Sequence, residues 1–218
     1  MPLQLVVLGG GSHAQSLVLE RGGQTERDVD DERATATDDD APPVLLVPHR
    51  PRSAKERDDI LRELVRLEKR HWDKGSSWGD QLPTLVAKRN AYVFVLLDQA
   101  AGCERGEAGQ AGQDGVHPVA YAIVYINALH AQLSKLFTTP ARRGRGLATR
   151  LVRTVLEAVR RSNKGEGYEV TLMVEVDNLA AQAVYDRCGF RRDGGGVLRD
   201  YYAVGRHAWR MKASPNNY

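Results

Sequence analysis

The amino-acid sequence predicts a single mixed α/β domain in which one helix crosses over between two parallel strands. Short apolar runs of strand type recur along the chain, and apolar stripes at helical spacing separate several of them. A glycine-rich loop directly precedes one long helical stripe, which is the arrangement of a crossover connection. The predicted order of elements is β-α-α-β-β-β-α-β-α-β-β. A chain of 218 residues is long enough for one such domain with its own core.

The composition argues against several classes of protein. The net charge of +3 comes from 31 basic and 28 acidic residues, a balance that does not suggest a nucleic-acid partner. No apolar run approaches the roughly 20 residues of a membrane helix, and the apolar start lacks the basic segment of a signal peptide. The two cysteines form no disulfide framework, and no cluster of Cys and His has metal-ligand spacing. We therefore expect a cytoplasmic protein, or a nuclear one, with no metal and no membrane partner.

Changes in composition set the expected boundaries of the domain. Residues 20–42 are rich in Arg, Asp, Thr and Gly and have almost nothing to bury, so residues 1–42 are predicted to be a largely disordered extension. The domain is predicted to span residues 43–213, which leaves 214–218 as a tail. Within it, residues 99–116 are rich in Gly, Gln and Ala and are predicted to be a flexible hairpin insertion.

Periodicity assigns the elements within the domain. Apolar side chains at helical spacing predict a first helix over residues 54–70, and a second, short helix follows at roughly 80–88. A third helix follows the glycine-rich loop, and Asn178 is placed to cap a fourth. The predicted strands are apolar or alternating runs at residues 44–47, 92–97, 119–126, 132–138 and 170–176, with a strand-like closing segment at 201–211.

The glycine-rich loop has the features of an anion site. It joins the end of a strand to the start of the long helix, and it reads Arg143-Gly144-Arg145-Gly146-Leu147-Ala148. The glycines let the backbone approach a ligand closely, and the helix N-terminus carries partial positive charge. Arg142, Arg143 and Arg145 add charges whose planar forks suit phosphate oxygens. The predicted ligand is a di- or triphosphate group, with a solvated turn as the alternative. The Lys-Ser/Thr pair of an NTPase P-loop is missing, which excludes that class.

A second glycine run, residues 9–14, formally fits the dinucleotide-binding fingerprint after an apolar segment. That fingerprint requires a βαβ unit, but a segment of disordered type follows instead of a long helix and a second strand. We therefore assign no nucleotide site there.

Another motif follows the predicted strand at residues 170–176. Asn178 and Tyr185 are seven residues apart, which places them two turns apart on one helix face. The tyrosine hydroxyl can then point between this helix and the preceding one, although an N-cap followed by a core tyrosine is the simpler interpretation of each residue alone. Gly189-Phe190 has the pattern of a helix C-cap with a hydrophobic contact.

In combination, these motifs resemble the GNAT superfamily of N-acetyltransferases over residues 43–213. The glycine loop matches that family's Arg/Gln-x-x-Gly-x-Gly/Ala signature at Arg143, Gly146 and Ala148, and the string at residues 178–190 matches its second signature. The nearest members are the N-terminal and ribosomal-protein alanine N-acetyltransferases. The resemblance implies a mostly antiparallel sheet of about six or seven strands flanked by four helices.

The resemblance also implies where the cofactor, acetyl-CoA, would bind. The glycine loop holds the coenzyme A pyrophosphate, Asn178 contacts the cofactor arm, and Tyr185 lies near the sulfur. Backbone groups of the strand before the loop hold the pantetheine arm and polarise the thioester carbonyl. The implied cofactor-binding residues are Leu136, Phe137, Thr138, Arg143, Gly144, Arg145, Gly146, Leu147, Ala148, Asn178 and Tyr185.

The implied reaction is direct transfer of an acetyl group from the thioester to a primary amine within a ternary complex. Tyr185 is the candidate general acid for the leaving thiolate. The bases that relatives use are missing, because Met173 and Ala131 stand at their positions. Glu175, on the same strand face as Met173, is the substitute we assign, although it also fits a surface carboxylate at a strand end. Further candidates for the base are His130 and Ser134.

Residues 199–211 resemble the closing hairpin of N-terminal acetyltransferases, in which a tyrosine pair grips the backbone of the substrate peptide. Here the pair is Tyr201-Tyr202, and the loop of residues 71–78, with Trp78, would face it across a groove. Packing on a mixed surface is the alternative role of these aromatic residues. At pH 7 an α-amine with a pKa near 7.7–8.0 is about one-tenth neutral, whereas a lysine near 10.4 is neutral in only about one molecule in a few thousand. An enzyme without a strong base is therefore easier to reconcile with a protein or peptide N-terminus as acceptor.

Other functions stay open at the level of the sequence. A small-amine or lysine N-acetyltransferase shares the same motifs, and a non-catalytic acyl-CoA-binding module would need no base. A nucleotide-binding regulator would rest on the glycine loop alone. The sequence does not decide between a monomer and a dimer.

Overall fold

The computed structural model describes residues 3–9, 48–98, 116–162 and 168–214, and the elements named below lie within these ranges. No helix among them is both long and apolar enough to cross a membrane. The strands are β1 (Leu3–Gly9), β2 (Pro48–His49), β3 (Ala91–Asp98), β4 (Pro118–Ile126), β5 (His130–Thr138), β6 (Glu169–Glu175), β7 (Arg191–Ala203) and β8 (Arg206–Ala213). The α-helices are α1 (Ala54–His71), α2 (Leu82–Ala87), α3 (Leu147–Ser162) and α4 (Leu179–Arg187).

One eight-stranded sheet runs through the domain in the order β2-β1-β3-β4-β5-β6-β8-β7. Its neighbouring strands are antiparallel except for β1 with β2 and β5 with β6, which are parallel. Helix α3 joins β5 to β6, so the predicted crossover after the glycines is confirmed. The mixed, mostly antiparallel fold with four α-helices is also confirmed, with one strand more than the predicted order contains.

Apolar side chains cover both faces of the sheet. Helix α3 buries Leu151, Val155 and Leu156 against one face, because its apolar residues recur at helical spacing. Helix α1 buries Ile60 and Leu64 against the other face. Strand β3 lies between these layers with all eight of its positions buried, which explains why its sequence is a continuous apolar run and not an alternating one.

Strand β1 corrects the predicted start of the domain. It pairs with β3 along its whole length, and its four central side chains are at most 3% exposed. Residues 3–9 are therefore part of the sheet, and assigning them with the rest of residues 1–42 to an extension was wrong. Their apolar run has strand character, but the partner strand lies far along the chain and gives no local signal. The predicted strand at residues 44–47, the rest of the extension and most of the insertion after β3 lie outside the described residues.

A β-bulge in β5 reverses the direction of its side chains. Lys135 pairs with Ile123 but Leu133 pairs with Val124, which leaves Ser134 as an extra residue. Before the bulge, the odd-numbered residues of β5 face the layer of α3; after it, they face the layer of α1. After the bulge, the even-numbered residues at the end of β5 therefore face α3 and the glycine loop.

The parallel strands β5 and β6 part in the middle of the sheet. Their pairing ends where Leu133 lies opposite Leu172, although β5 continues to Thr138 and β6 to Glu175. The carboxyl ends of the two strands are thus not joined by ladder pairs. This opening in the sheet is where the predicted site residues of both strands lie.

Candidate active site

The glycine loop leads from β5 into α3. A turn of 3-10 helix (Pro140–Arg142) follows β5, and α3 then begins at Leu147. Gly144 and Gly146 have φ angles of 73° and 70°, in the left-handed region that favours glycine, although a Cβ at either position would meet no atom within 4 Å. Backbone conformation, and not crowding, therefore requires these glycines. The first N–H groups of α3 have no acceptor within the helix, so the loop presents donors and partial positive charge to an anion.

The three arginines of this segment have different surroundings. Arg142 forms an ion pair with the buried carboxylate of Asp98, so its charge stabilises the end of β3. Arg143 and Arg145 are exposed, and Arg143 Nε donates a hydrogen bond to the Thr138 carbonyl at 3.2 Å. Two of the three predicted phosphate-binding charges thus lie at the surface of the loop, whereas Arg142 has a structural role.

An unsatisfied polar atom lies beside this loop. The Thr138 hydroxyl oxygen is buried and has no hydrogen-bond partner within the described parts of the chain. Thr138 lies opposite Ala120, whose side chain belongs to the core layer under α3, so the hydroxyl is on the α3 face of the sheet. Leaving such a group unpaired costs about 1–3 kcal/mol. An amide of a bound ligand would satisfy it, and the arm of coenzyme A carries amides, so this end of β5 and the glycine loop together fit that group.

Helix α4 carries the predicted general acid. Tyr185 is 7% exposed, and its ring packs on Phe190 with ring centroids 5.7 Å apart. Burial, with a smaller contribution from the nearby Tyr202, raises the pKa of Tyr185 far above its ordinary value. The hydroxyl therefore stays protonated at neutral pH, as a proton donor must. Asn178 is the N-cap of α4, because its side-chain oxygen accepts from Ala181 N at 3.1 Å, and its contact with the cofactor stays a prediction.

Glu175 is held in an ion pair at the end of β6. Its carboxylate oxygens accept from Arg206 Nε at 2.8 Å and from Arg206 Nη2 at 3.0 Å, the two-bond geometry that arginine favours. These hydrogen bonds from Arg206 lower the pKa of Glu175, so the carboxylate is a weaker base than an unpaired one. Glu175 shares a strand face with Met173, but the structure gives it a partner that the sequence did not indicate.

The two further candidates for the base lie at different distances from the opening. Ser134 is the bulge residue at the point where β5 and β6 part. His130 is the first residue of β5, where the strands are still paired, and lies about 13 Å further along the strand. Position therefore favours Ser134 over His130 for contact with a group in the opening.

The hairpin of β7 and β8 presents the predicted acceptor-binding tyrosines. Tyr201 and Tyr202 are 46% and 44% exposed and stand edge to face, with ring centroids 4.9 Å apart. The Tyr202 hydroxyl donates a hydrogen bond to the Met173 carbonyl at 2.9 Å, so it already links the hairpin to β6 beside the opening. The strand bulges here, because residues 199–202 lie opposite His207 alone.

The loop between α1 and α2 lies across from this hairpin. The Asp73 carboxylate and the Arg206 guanidinium are close enough for each to shift the pKa of the other. Asp73 also accepts a hydrogen bond from Ser76 N at 2.8 Å, which fixes the turn of the loop. Trp78 is partly buried against the α1 layer, and its backbone N–H donates to the Glu68 carboxylate at 2.8 Å. A contact between Trp78 and an acceptor stays a prediction.

A buried charged cluster under this loop was not predicted from the sequence. Glu68 is fully buried and accepts hydrogen bonds from Tyr121 Oη, from Lys135 Nζ at 2.8 Å and from Trp78 N. Lys135 Nζ also donates to the Ser76 carbonyl at 2.7 Å. The cluster therefore joins α1, β4, β5 and the loop between α1 and α2.

Two patterns in the sequence do point to this cluster. Glu68 continues the four-residue spacing of Ile60 and Leu64, so it falls on the buried stripe of α1. Lys135 interrupts the apolar second half of the β5 run. A charged residue at a buried position needs a partner, but the sequence does not say which residue that partner is.

The fold has an opening between β5 and β6, and a glycine loop follows the carboxyl end of β5. These features define the class of acyltransferases that take their acyl group from an acyl-coenzyme A. A sequence model of the acetyltransferase (GNAT) family matches residues 63–190, which is more than half of the chain. The protein belongs to that family, and the resemblance found in the sequence is confirmed.

Two curated relatives share part of the sequence. N-alpha-acetyltransferase 30 of Schizosaccharomyces pombe is 36% identical over 88 residues, which cover 40% of this chain and 55% of that protein. N-alpha-acetyltransferase MAK3 of Arabidopsis thaliana is 43% identical over 70 residues, which cover 32% of this chain and 34% of that protein. The chain thus matches 55% and 34% of the length of these relatives.

Solved structures share the fold at low sequence identity. The spermidine/spermine N-acetyltransferase SpeG of Vibrio cholerae is 20% identical with a TM-score of 0.54, and the match covers 74% of this chain and 92% of that one. The ribosomal-protein-S18-alanine N-acetyltransferase of Escherichia coli is 18% identical with a TM-score of 0.50, covering 74% of this chain and 88% of that one. These likenesses establish the fold alone.

Proposed function

We propose that the protein transfers an acetyl group from acetyl-CoA to a primary amine, and that this amine is the α-amine of a protein or peptide N-terminus. The observation that carries the proposal is the opening between β5 and β6, where strand pairing ends at Leu133 and Leu172. The glycine loop follows one of these strands, and the Tyr202 hydroxyl binds the other. Acetyl-CoA, when bound, would supply the acyl group as a thioester.

The protein's own groups have separate parts in the proposed transfer. The amine nitrogen bonds to the thioester carbonyl carbon, and the bond from that carbon to sulfur breaks. Backbone N–H groups of β5 near Leu136 stabilise charge on the carbonyl oxygen. Tyr185 donates its hydroxyl proton to the departing sulfur, and the proton that the amine loses returns to the tyrosine through solvent.

The state of Cys188 supports direct transfer without an acetyl-enzyme. Its thiol is 2% exposed, and its Sγ donates to the Thr149 carbonyl at 3.7 Å. Burial raises the pKa of the Cys188 thiol to about 11, so the thiolate is scarce at neutral pH. Within the described ranges there is no second cysteine to act as a nucleophile.

Two observations support an α-amine as the acceptor. The Glu175 carboxylate is paired with Arg206 and its pKa is lowered, which makes it a weak base for a protonated lysine. An α-amine, with a pKa near 7.7–8.0 against about 10.4 for lysine, needs less help to lose its proton. In addition, both curated relatives are named N-alpha-acetyltransferases.

A panel of acceptors tests the proposal. Thiol release from acetyl-CoA is measured with peptides that have free N-termini, with the same peptides blocked at the N-terminus but containing lysine, and with spermidine. We expect turnover with the free N-termini. Faster turnover of the blocked lysine peptides or of spermidine would assign another acceptor, and cofactor binding without turnover would make the protein an acyl-CoA-binding module.

A further inference from the structure

We propose that the buried pair of Glu68 and Lys135 is a positioning device, which fixes the loop between α1 and α2 on β5 and thereby sets the affinity for the acceptor amine. The inference rests on the proposed function, because it concerns the acceptor side of the same site. Both residues face the α1 layer, on the opposite side of the sheet from α3. They act through the loop and not on the reacting atoms.

The pair holds the loop at two points. Lys135 Nζ lies 2.8 Å from Glu68 Oε2 and donates to the Ser76 carbonyl at 2.7 Å. Glu68 Oε2 in turn accepts from Trp78 N at 2.8 Å. Loss of either charge therefore releases one anchor of the loop directly and weakens the other.

Aromatic side chains at the two ends of the loop pack on the same ammonium group. Lys135 Nζ lies 4.2 Å from the ring centroid of Trp72 and 5.3 Å from that of Trp78, both within cation–π range. Trp72 Nε1 also donates to Tyr121 Oη at 3.0 Å, and that hydroxyl donates to Glu68. Residues at both ends of the loop thus contact the Lys135 ammonium group.

Burial of the pair is hard to explain by stability alone. The side chains of Lys135 and Glu68 are 7% and 0% exposed, and removing two charges from water costs about as much as their attraction returns. Apolar residues of similar volume would fill the same space. A specific geometry, held by hydrogen bonds to the loop, is what this pair adds.

The position of Lys135 ties the loop to the opening. It directly follows the bulge residue Ser134, where β5 leaves β6. Asp73, in the loop, interacts electrostatically with both Lys135 and Arg206, and Arg206 is bound to Glu175. Lys135, Asp73, Arg206 and Glu175 thus form a row of charges of alternating sign from β5 across the loop to the hairpin. Because the loop and the hairpin both border the proposed acceptor site, a shift of the loop changes the space for the acceptor.

A charge-neutral double variant, E68Q/K135M, tests the proposal. Lys135→Met alone leaves a buried carboxylate without its cation and is expected to lower Tm, whereas adding Glu68→Gln removes that charge and restores much of the loss. In the double variant we expect the KM for the acceptor peptide to rise about tenfold or more, because a small displacement of a positioning loop has effects of this size. The KM for acetyl-CoA is expected to stay close to that of the parent protein.

Tryptophan fluorescence gives a readout that needs no turnover. The chain has three tryptophans, so a Trp209→Phe background leaves Trp72 and Trp78 as reporters of the loop. We expect acrylamide to quench them more strongly in the double variant. The matched control is Lys212→Met, which removes partly exposed ion pairs with Glu169 and Asp193 away from this loop and is expected to change neither readout.

Each outcome is decisive. A folded double variant with unchanged quenching and unchanged acceptor KM would overturn the inference and leave the pair as a folding element. If the double variant does not fold, Glu68→Gln alone, which keeps the side-chain size, takes its place with the same expected directions. If the parent protein turns over no amine, the proposed function fails. The quenching experiment still tests the pair in that case: increased quenching in the double variant shows that the pair holds the loop, and unchanged quenching shows that it does not.

Discussion

Arg206 binds both carboxylate oxygens of Glu175, at 2.8 and 3.0 Å, and so ties the start of β8 to the end of β6 beside the opening in the sheet. The same guanidinium interacts electrostatically with Asp73 in the loop between α1 and α2. The pair thus helps to set the position of the hairpin, and it weakens Glu175 as a base. Both effects can be measured separately.

Glu175→Gln is expected to reduce kcat by less than about tenfold, because removal of a true general base costs about 10²–10⁴. The acceptor KM is expected to rise more than kcat falls, since the amide keeps one hydrogen bond to Arg206 but loses its charge. Steady-state kinetics with a fixed peptide measure both. Arg206→Gln is the matched control, because it frees the carboxylate. A hundredfold loss of kcat in Glu175→Gln, together with a gain in Arg206→Gln, would make Glu175 the base.

Tyr185→Phe is expected to reduce kcat by about 10²–10⁴ with little change in the KM for acetyl-CoA, because it removes the proposed proton donor. Tm is expected to stay near that of the parent protein, since the ring contact with Phe190 is kept. Cys188→Ser, at the C-cap of the same helix, is a control that changes a buried group outside the proposed chemistry. Undiminished kcat in Tyr185→Phe would remove the tyrosine from the mechanism.

Gly146→Ala is expected to weaken acetyl-CoA binding by about five- to thirtyfold, because a left-handed φ costs a residue with a Cβ about 1–2 kcal/mol. No atom would clash with the new methyl group, so the loss comes from the backbone that presents donors to the phosphates. Gly195→Ala is the control, because Gly195 has no positive φ and a Cβ there would meet only the Asp193 carbonyl oxygen, at an ordinary contact distance of 3.8 Å. Isothermal titration with coenzyme A measures the change. Equal affinity in the two variants would show that the loop does not bind the cofactor.

The parts of the fold and site that depend on neighbouring residues could be predicted from the sequence. The glycine loop, the apolar stripe of α3 and the cap at Asn178 are of this kind, because their conformation is fixed within a few residues of chain. The parallel connection from β5 to β6 followed from the same local order of elements.

The parts that depend on distant contacts could not be predicted in the same way. Glu68 and Lys135 are 67 residues apart, and neither position reveals its partner. The bulge at Ser134 turns Lys135 toward α1, whereas regular alternation would have placed it under α3. Strand β1 was missed for a similar reason, since β3 lies far beyond it in the chain.

Gly9→Ala is expected to destabilise the domain by about 2–4 kcal/mol, because Gly9 ends β1 with a positive φ that would strain a residue with a Cβ, and the space around it is closely packed. Its φ is 93°, and a Cβ there would lie 2.3 Å from the Ala91 carbonyl oxygen. Gly75→Ala, where a Cβ would meet no atom within 4 Å, is the control. Thermal or urea unfolding measures both. Equal stability of the two variants would show that residues 3–9 are not part of the folded sheet.

The pH dependence of kcat/KM is expected to follow the acceptor. Below the pKa of the peptide amine, kcat/KM rises tenfold per pH unit, and it levels off above about pH 8 as the amine becomes neutral. Glu175, with a lowered pKa, and Tyr185, with a raised one, both keep their protonation state through this range. Peptides whose N-terminal residues have different amine pKa values should therefore shift the midpoint. A midpoint that stays fixed across such peptides would assign the titration to a group of the enzyme.

The central claim, transfer of an acetyl group to an N-terminal α-amine, is tested most directly with one peptide that has both a free N-terminus and an internal lysine. After incubation with acetyl-CoA and the full-length protein, tandem mass spectrometry locates the added acetyl group. We predict that it is found on the N-terminal nitrogen while the lysine stays unmodified. Acetylation of the lysine with a free N-terminus, or no acetylation of either amine, would contradict the claim.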